Sequence, residues 1–270
     1  MRIVSLAQNV PGPVAVSRLV AGGARAIKIE PPAGDALERL SKPWYDDLHA
    51  RVLVERVDLK SAEGMKALTT NLASADLFFA SHRPGALQRL GLDADALLRR
   101  FPRLRYLNIV GDTRNPEHPG HDLTYQAEVG LTHGQMLPRT LMADMAGAER
   151  AHAAALQLLA APPGGRVEVG LADALRDLAA PLRYGLTAQG GALGGGNPAY
   201  GIYAARDGFI AVAALEPHFR ARLYEGLGLP DGSDPSRMFS AKTIAEWEQW
   251  ARERDLPLVG CPPPEGEHHR

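Results

Sequence analysis

An α/β fold with a mainly parallel sheet is the class this sequence predicts, and three observations predict it. Short apolar, β-rich runs alternate with segments of helical period from Arg2 to Tyr184. Each run is punctuated by Gly pairs, Pro–Gly clusters or a capping Ser or Asp. The chain also opens on a strand–helix–strand unit, which is a right-handed parallel crossover by default.

Arg2 to Leu6 reads as a buried strand, Pro11-Gly12-Pro13 as a turn, and Val14 to Val20 as a short helix closed by Gly22-Gly23. Arg25 to Glu30 is a second strand, stopped by Pro31-Pro32. The glycines at 12, 22 and 23 lack the G-x-G-x-x-G spacing, so an ordinary NAD site is not expected. An irregular stretch follows. Val52 to Leu59 is then a strand, and Ser61 caps a helix running to about Leu72. Asp76 to Ser81 is a strand leading into His82-Arg83-Pro84-Gly85. Asp93 to Arg100 is a helix with Leu97 and Leu98 inward, and Leu104 to Val110 is a strand. After the polar loop Gly111 to Pro119, a helix begins at about Asp122 with Leu123, Ala127 and Leu131 on one face. Ala148 to Ala161 is an alanine-rich helix, Arg166 to Gly170 a strand, and Leu171 to Tyr184 helical.

Five glycines between Gln189 and Pro198 mark a linker or flexible loop. Beyond it, Arg206-Asp207-Gly208 turns a hairpin between Tyr200–Ala205 and Phe209–Ala214. Helices follow from Glu216-Pro217 to Leu227 and from Ala241 to Arg254, with Trp247 and Trp250 read as core. Leu256 to Val259 is a closing strand. The expected organisation is a large α/β domain over residues 1–188, a Gly-rich linker at 189–199, a small α+β domain at 200–260 and a frayed tail at 261–270.

Composition narrows the function classes. Hydrophobic residues make up 45% of the 270 and charged ones 23%, an ordinary globular balance. A net charge of −1 gives no basic footprint for nucleic acid. The single Cys261 cannot form an internal disulfide, which points to a reducing compartment. No apolar run approaches the ~20 residues of a membrane span, and the first residues lack signal-peptide architecture. A cytoplasmic protein is expected.

The stretch with the most chemistry is Gly120-His121-Asp122-Leu123-Thr124-Tyr125. It sets an imidazole and a carboxylate at a helix entrance just beyond a strand's carboxyl end, where α/β proteins collect ligands. A second carboxylate, Asp144, heads the next helical run. His121 and Asp144 on two neighbouring helix starts can face one small ligand from opposite sides. A His–Asp pair is also an ordinary cap, and Asp144 reads equally as one. Glu216 by itself reads as a first-turn acid, Asp35 as a turn former and Arg83 as a surface turn residue. No Cys/His spacing suggests a metal.

Several stretches, taken together, resemble one family. They are Gly12-Pro13, Ile27-Lys28-Ile29-Glu30-Pro31-Pro32 with Gly34-Asp35, Asp58-Leu59-Lys60-Ser61, Arg83-Pro84-Gly85, Gly120-His121-Asp122, Ala143-Asp144, Asp207-Gly208 and Leu215-Glu216-Pro217. In that order they resemble the class III CoA-transferase superfamily, in its 2-methylacyl-CoA racemase branch. The resemblance implies a Rossmann-like domain plus a smaller one. It also implies α-proton exchange on a 2-methylacyl thioester held between His121 and Asp144, through an enolate. Glu216 and Asp122 are implied as partners of His121. Arg83, Lys60, Asp35, Arg51 and Tyr125 are implied contacts for substrate or CoA. No cofactor is implied beyond coenzyme A as part of the substrate. A homodimer is implied, interlocked in the family. The family's Asn/Arg/Lys-rich motif before Asp58 is absent here, with only Arg51 or Arg56 to replace it, and the loop before His121 is shorter. The family pattern also continues past Cys261 with a segment returning to the first domain, so an open or smaller ring is expected. Two other readings stand beside the racemase: a CoA-transferase with Asp144 as nucleophile, and a non-catalytic acyl-CoA- or partner-binding relative.

Overall fold

A computed structural model describes residues 1–262. It divides into two compact units, Met1–Ala179 and a second beginning at Ala180. The first holds a six-stranded sheet of β1 (Arg2–Ser5), β2 (Arg25–Glu30), β3 (Leu53–Arg56), β4 (Leu77–Ala80), β5 (Arg105–Val110) and β6 (Arg166–Gly170). Every pairing is parallel, in the order β3-β2-β1-β4-β5-β6. This is the doubly wound order, with its switch point between β1 and β4.

The central strands are apolar on both faces because helices cover both, and Leu77, Phe78, Phe79 and Ala80 of β4 are all fully buried. One core joins the sheet to α1 (Pro11–Ala21), α3 (Lys42–His49) and α8 (Met142–Ala160). The other joins it to α4 (Ala62–Leu72), α5 (Pro84–Arg89) and α6 (Ala94–Arg100). The expected cap at Ser61 forms, and Asp93, expected as the first helical residue, is the cap of α6. Ser61 Oγ accepts from Gly64 N–H at 3.0 Å, and Asp93 Oδ1 accepts from Ala96 N–H at 3.0 Å.

Several expectations are corrected. The turn expected at Pro11-Gly12-Pro13 is instead the first turn of α1. The irregular stretch after Pro32 folds as α2 (Ala36–Leu40) and α3, organised by a buried polar centre that no periodicity reveals. The helix expected from Leu171 to Tyr184 breaks at Ala179, into α9 (Leu171–Leu178) and α10 (Ala180–Arg183). The helix after the loop, α7 (Asp122–Glu128), faces inward with Asp122, Tyr125 and Gln126, while Leu123 stays 46% exposed. Its inner face is polar because it binds the start of α8.

The glycine-rich stretch is corrected as well. It is a folded knot within the second unit rather than a linker. Gly190 N–H donates to Gly194 O at 2.8 Å, Leu193 N–H to Leu186 O at 2.9 Å, and Gly196 N–H to Gly191 O at 2.8 Å. A Cβ on Gly194 would lie 1.9 Å from Ala188 O, and one on Gly191 2.2 Å from Gly185 O. Glycine is needed here for close backbone approach, not for looseness.

The rest of the second unit is an antiparallel sheet of β7 (Tyr200–Ala205), β8 (Gly208–Ala213) and β9 (Leu258–Cys261), with α11 (Pro217–Leu227), α12 (Ser236–Phe239) and α13 (Ile244–Arg252). Trp247 and Trp250 are core residues, as expected, and Trp247 Nε1 donates to Phe239 O at 2.7 Å. Cys261 is paired in β9 with Phe209 and so is not part of a frayed tail; residues 263–270 lie outside the described residues. Among the described residues, no helix is long and apolar enough to cross a membrane.

Candidate active site

A cleft of about 230 Å³ opens at the carboxyl ends of β1, β4 and β5. It is lined by Gln8 and Asn9 after β1, Ser81, His82 and Arg83 after β4, and the Gly111–Tyr125 segment after β5, with Asp144 from α8. The switch point of the sheet falls within this set of loops. His121 and Asp144 therefore share one cavity.

The loop carrying His121 is braced from below. Arg176 donates to both oxygens of Asp112 at 2.9 and 3.0 Å and to Asp173 at 2.5 Å. Asp173 in turn accepts from the backbone and hydroxyl of Thr113, each at 2.9 Å. Glu117 accepts from Gly85 N–H at 2.6 Å, tying the loop to the Arg83-Pro84-Gly85 turn. Tyr125 packs its phenol against Gly111 and Gly120, where a Cβ would come within 2.2 and 2.4 Å of Oη. Burial pushes that phenol up from its usual range, with the Glu128, Asp112 and Asp144 carboxylates adding to the effect and Arg83 opposing it.

His121 is the exposed N-cap of α7, and its backbone N–H donates to Thr124 Oγ1 at 3.1 Å. Asp122 is buried, and its side chain turns toward α8. Its Oδ1 accepts from Ala143 N–H at 2.7 Å and Asp144 N–H at 3.1 Å, and Oδ2 from Gln126 Nε2 at 2.6 Å. Asp122 thus caps a helix other than its own and fixes where Asp144 stands. Burial, reinforced by the charge of Asp122, raises the Asp144 carboxyl to about 7. A group so placed exchanges its proton readily near neutral pH.

Asp35, expected as a ligand contact, is fully buried and engaged by the protein itself. It accepts from Lys28 Nζ at 2.6 Å, from Leu37 N–H at 3.0 Å and from Asn9 N–H at 3.0 and 3.1 Å. Its effect on the cleft is indirect, since it holds Asn9 at a positive φ of 64°. Lys28 also meets Glu30 at 3.0 Å and His49 Nε2 at 3.0 Å, while His49 Nδ1 donates to Tyr45 O at 2.6 Å. That carbonyl only accepts, so the His49 proton is on Nδ1 and the lone pair of Nε2 receives the ammonium. Burial and Lys28 both hold this imidazole below the usual histidine range.

Lys60 borders an adjoining apolar groove of about 170 Å³, lined also by Ile29, Val57, Leu59 and Leu87. Arg51 is exposed in the turn after α3 and lines neither cavity. Glu216 belongs to the second unit, where it is the exposed residue before α11. Gln8, Asn9, Ser81, His82 and His118 line the cleft without having been singled out from the sequence. Only His82 carried a signal, its adjacency to Arg83-Pro84-Gly85 at a strand end. Among the described residues, no three His, Cys, Asp or Glu side chains converge as a metal site.

The model of CoA-transferase family III matches residues 1–258. The chain belongs to CoA-transferase family III. Alpha-methylacyl-CoA racemase of Mus musculus is 30% identical over 287 aligned positions, covering 92% of this chain and 73% of that protein. The probable fatty acyl-CoA transferase Rv3272 of Mycobacterium tuberculosis is 33% identical over 149 residues, which is 51% of this chain and only 38% of that protein. A crystal structure of the Rv3272 protein covers 97% of this chain and 82% of its own with a TM-score of 0.82, at 24% identity, a likeness of fold. Family III thus reaches this chain through relatives named for two different reactions, a racemase and a transferase.

Proposed function

We propose that this family III chain is an acyl-CoA racemase or epimerase that exchanges the α-proton of 2-methylacyl thioesters. The observation that carries the reading is that His121 and Asp144, from the starts of consecutive helices, line one cleft. One group takes the α-proton, and the C–H electron pair moves into the thioester to give an enolate planar at the α-carbon. The other group returns a proton to the opposite face. Asp144, raised to about 7, holds or releases that proton near neutral pH. In this reading Asp122 positions Asp144, Tyr125 and Arg83 border the acyl thioester, and Lys60 in the adjoining groove meets the nucleotide end of CoA. The active species in this reading is a homodimer, to be checked by light scattering.

The test is exchange of the α-proton for deuterium from solvent, over a panel of short, branched and aryl CoA thioesters. His121→Ala and Asp144→Ala are each expected to slow exchange by roughly 10²–10⁴-fold. Unchanged exchange in either variant removes that residue from the mechanism. A second reading, CoA transfer through an aspartyl anhydride, is favoured by the same burial of Asp144, which makes its carboxylate more basic and more nucleophilic. Trapping of an Asp144 acyl adduct by hydroxylamine would select it, and the absence of exchange on every thioester offered would reject the racemase.

A further inference from the structure

We propose that the imidazole of His82 is the hydrogen-bond donor that grips the amide-bearing thiol arm of the ligand, where it passes from the apolar groove into the cleft. The inference rests on the acyl-CoA reading above and names a residue that reading does not use. His82 and Gln8 are the two residues common to the linings of both cavities. A ligand occupying groove and cleft together therefore has to pass them.

The ring is held at that passage by its backbone. Asn108 of β5, buried to 1% exposure, accepts from His82 N–H at 3.2 Å and donates to His82 O at 2.9 Å. Those two bonds fix the backbone from which the ring projects. The ring itself has no hydrogen-bond partner among the described residues, and its Nδ1 is sealed from solvent. Nε2 is not sealed off in this way and also has no protein partner among the described residues, so it is the nitrogen left to meet a ligand.

Its protonation can be assigned. A proton on Nδ1 would be a buried donor with no acceptor, so the proton belongs on Nε2, the nitrogen left to face the cavities. Burial lowers the basicity of this imidazole from the usual histidine range, which keeps it uncharged at neutral pH. An uncharged N–H at a neck whose outer side is apolar suits a neutral carbonyl rather than a phosphate. The arm joining nucleotide to thioester in a CoA ligand carries two amides, whose carbonyl oxygens are acceptors of this kind.

The experiment is calorimetric titration of the full chain with CoA and with adenosine 3′,5′-bisphosphate, which lacks the arm. His82→Phe keeps a flat ring and removes the donor, while His82→Gln supplies an N–H at similar reach. His82→Phe is expected to weaken CoA about 3- to 10-fold and leave the bisphosphate within about twofold, with His82→Gln recovering most of the loss. In unsubstituted protein labelled with ¹⁵N-histidine, the His82 Nε2–H proton is expected to move downfield when CoA is added. Equal CoA binding by His82→Phe, an equal loss for the bisphosphate, no recovery with glutamine, no CoA binding by the unsubstituted chain, or an unmoved Nε2–H resonance would each overturn the proposal. If CoA binds through His82 as described but no thioester exchanges deuterium, the racemase reading falls and the His82 assignment stands.

Discussion

Asp122 and Asp144 divide the work of two carboxylates by environment. Asp122 accepts three protein N–H bonds and Asp144 accepts none of comparable kind from the residues around it, so only the second is left to trade protons. Replacing Asp122 by Asn keeps an acceptor for the α8 amides and deletes a neighbouring negative charge. The Asp144 ionisation should then fall below about 7, seen as a lower acidic limb in the pH dependence of deuterium exchange. Asp122→Ala also leaves the Ala143 and Asp144 amides unmet, and should cost about 1–3 kcal/mol in denaturant unfolding. The stability of the unsubstituted protein carries a related signature. A carboxyl whose folded pKa is raised disfavours the folded state increasingly as pH climbs from the ordinary carboxylate range to the folded value. Asp144→Asn removes that term, so its melting temperature should gain on the parent between pH 4 and about 7 and hold the gain above. A gap that is flat with pH would show that burial does not perturb Asp144.

Among the elements, strands and the Ser61 cap were legible because each depends on near neighbours: β2 and β6 fall where their runs begin and end, and Ser61 caps α4 as its position implies. What could not be read depends on partners far along the chain. The inward face of α7 is polar because Asp122 bonds amides 21 and 22 residues later. Similarly, α2 and α3 surround a salt-bridged Lys28 that belongs to β2. The glycine knot was misread for a related reason, since flexibility and close backbone contact call for the same residue. Of the candidate site, the placing of His121 and Asp144 on one cleft was legible from two helix starts, whereas Asp35 as a buried brace and His82 at the neck needed the packed fold. Two substitutions test these packing claims. Gly194→Ala should destabilise the protein by about 1–3 kcal/mol, because its Cβ would sit 1.9 Å from a backbone oxygen that cannot rotate away. Gly120→Ala should cost a similar amount, and much of it should return in the double variant with Tyr125→Leu, which empties the space the new methyl needs. Full stability in Gly194→Ala would mean the knot is loose in solution.

The molecule as a whole keeps its cores separate. Among the described residues, three apolar clusters lie entirely within Met1–Ala179, and a fourth, containing Trp247 and Trp250, lies entirely beyond it. A fragment ending at Ala179 is therefore expected to unfold cooperatively on its own, with native-like protection of β1, β4 and β5 in hydrogen exchange; a molten fragment would show that the first core is incomplete. Connectivity has a further consequence for the cleft. The helix leaving β1 joins one core and the helix leaving β4 joins the other, so chain segments part company at adjacent strand ends and a vacancy opens between them without any side chain having been cut back. Its walls combine the loops after β1, β4 and β5 with Tyr125 of α7 and Asp144 of α8. Drift at loop positions that carry no brace can retune which acyl group is admitted, whereas positions such as Gly120 stay tied to folding, so substrate choice and scaffold stability are separable only position by position.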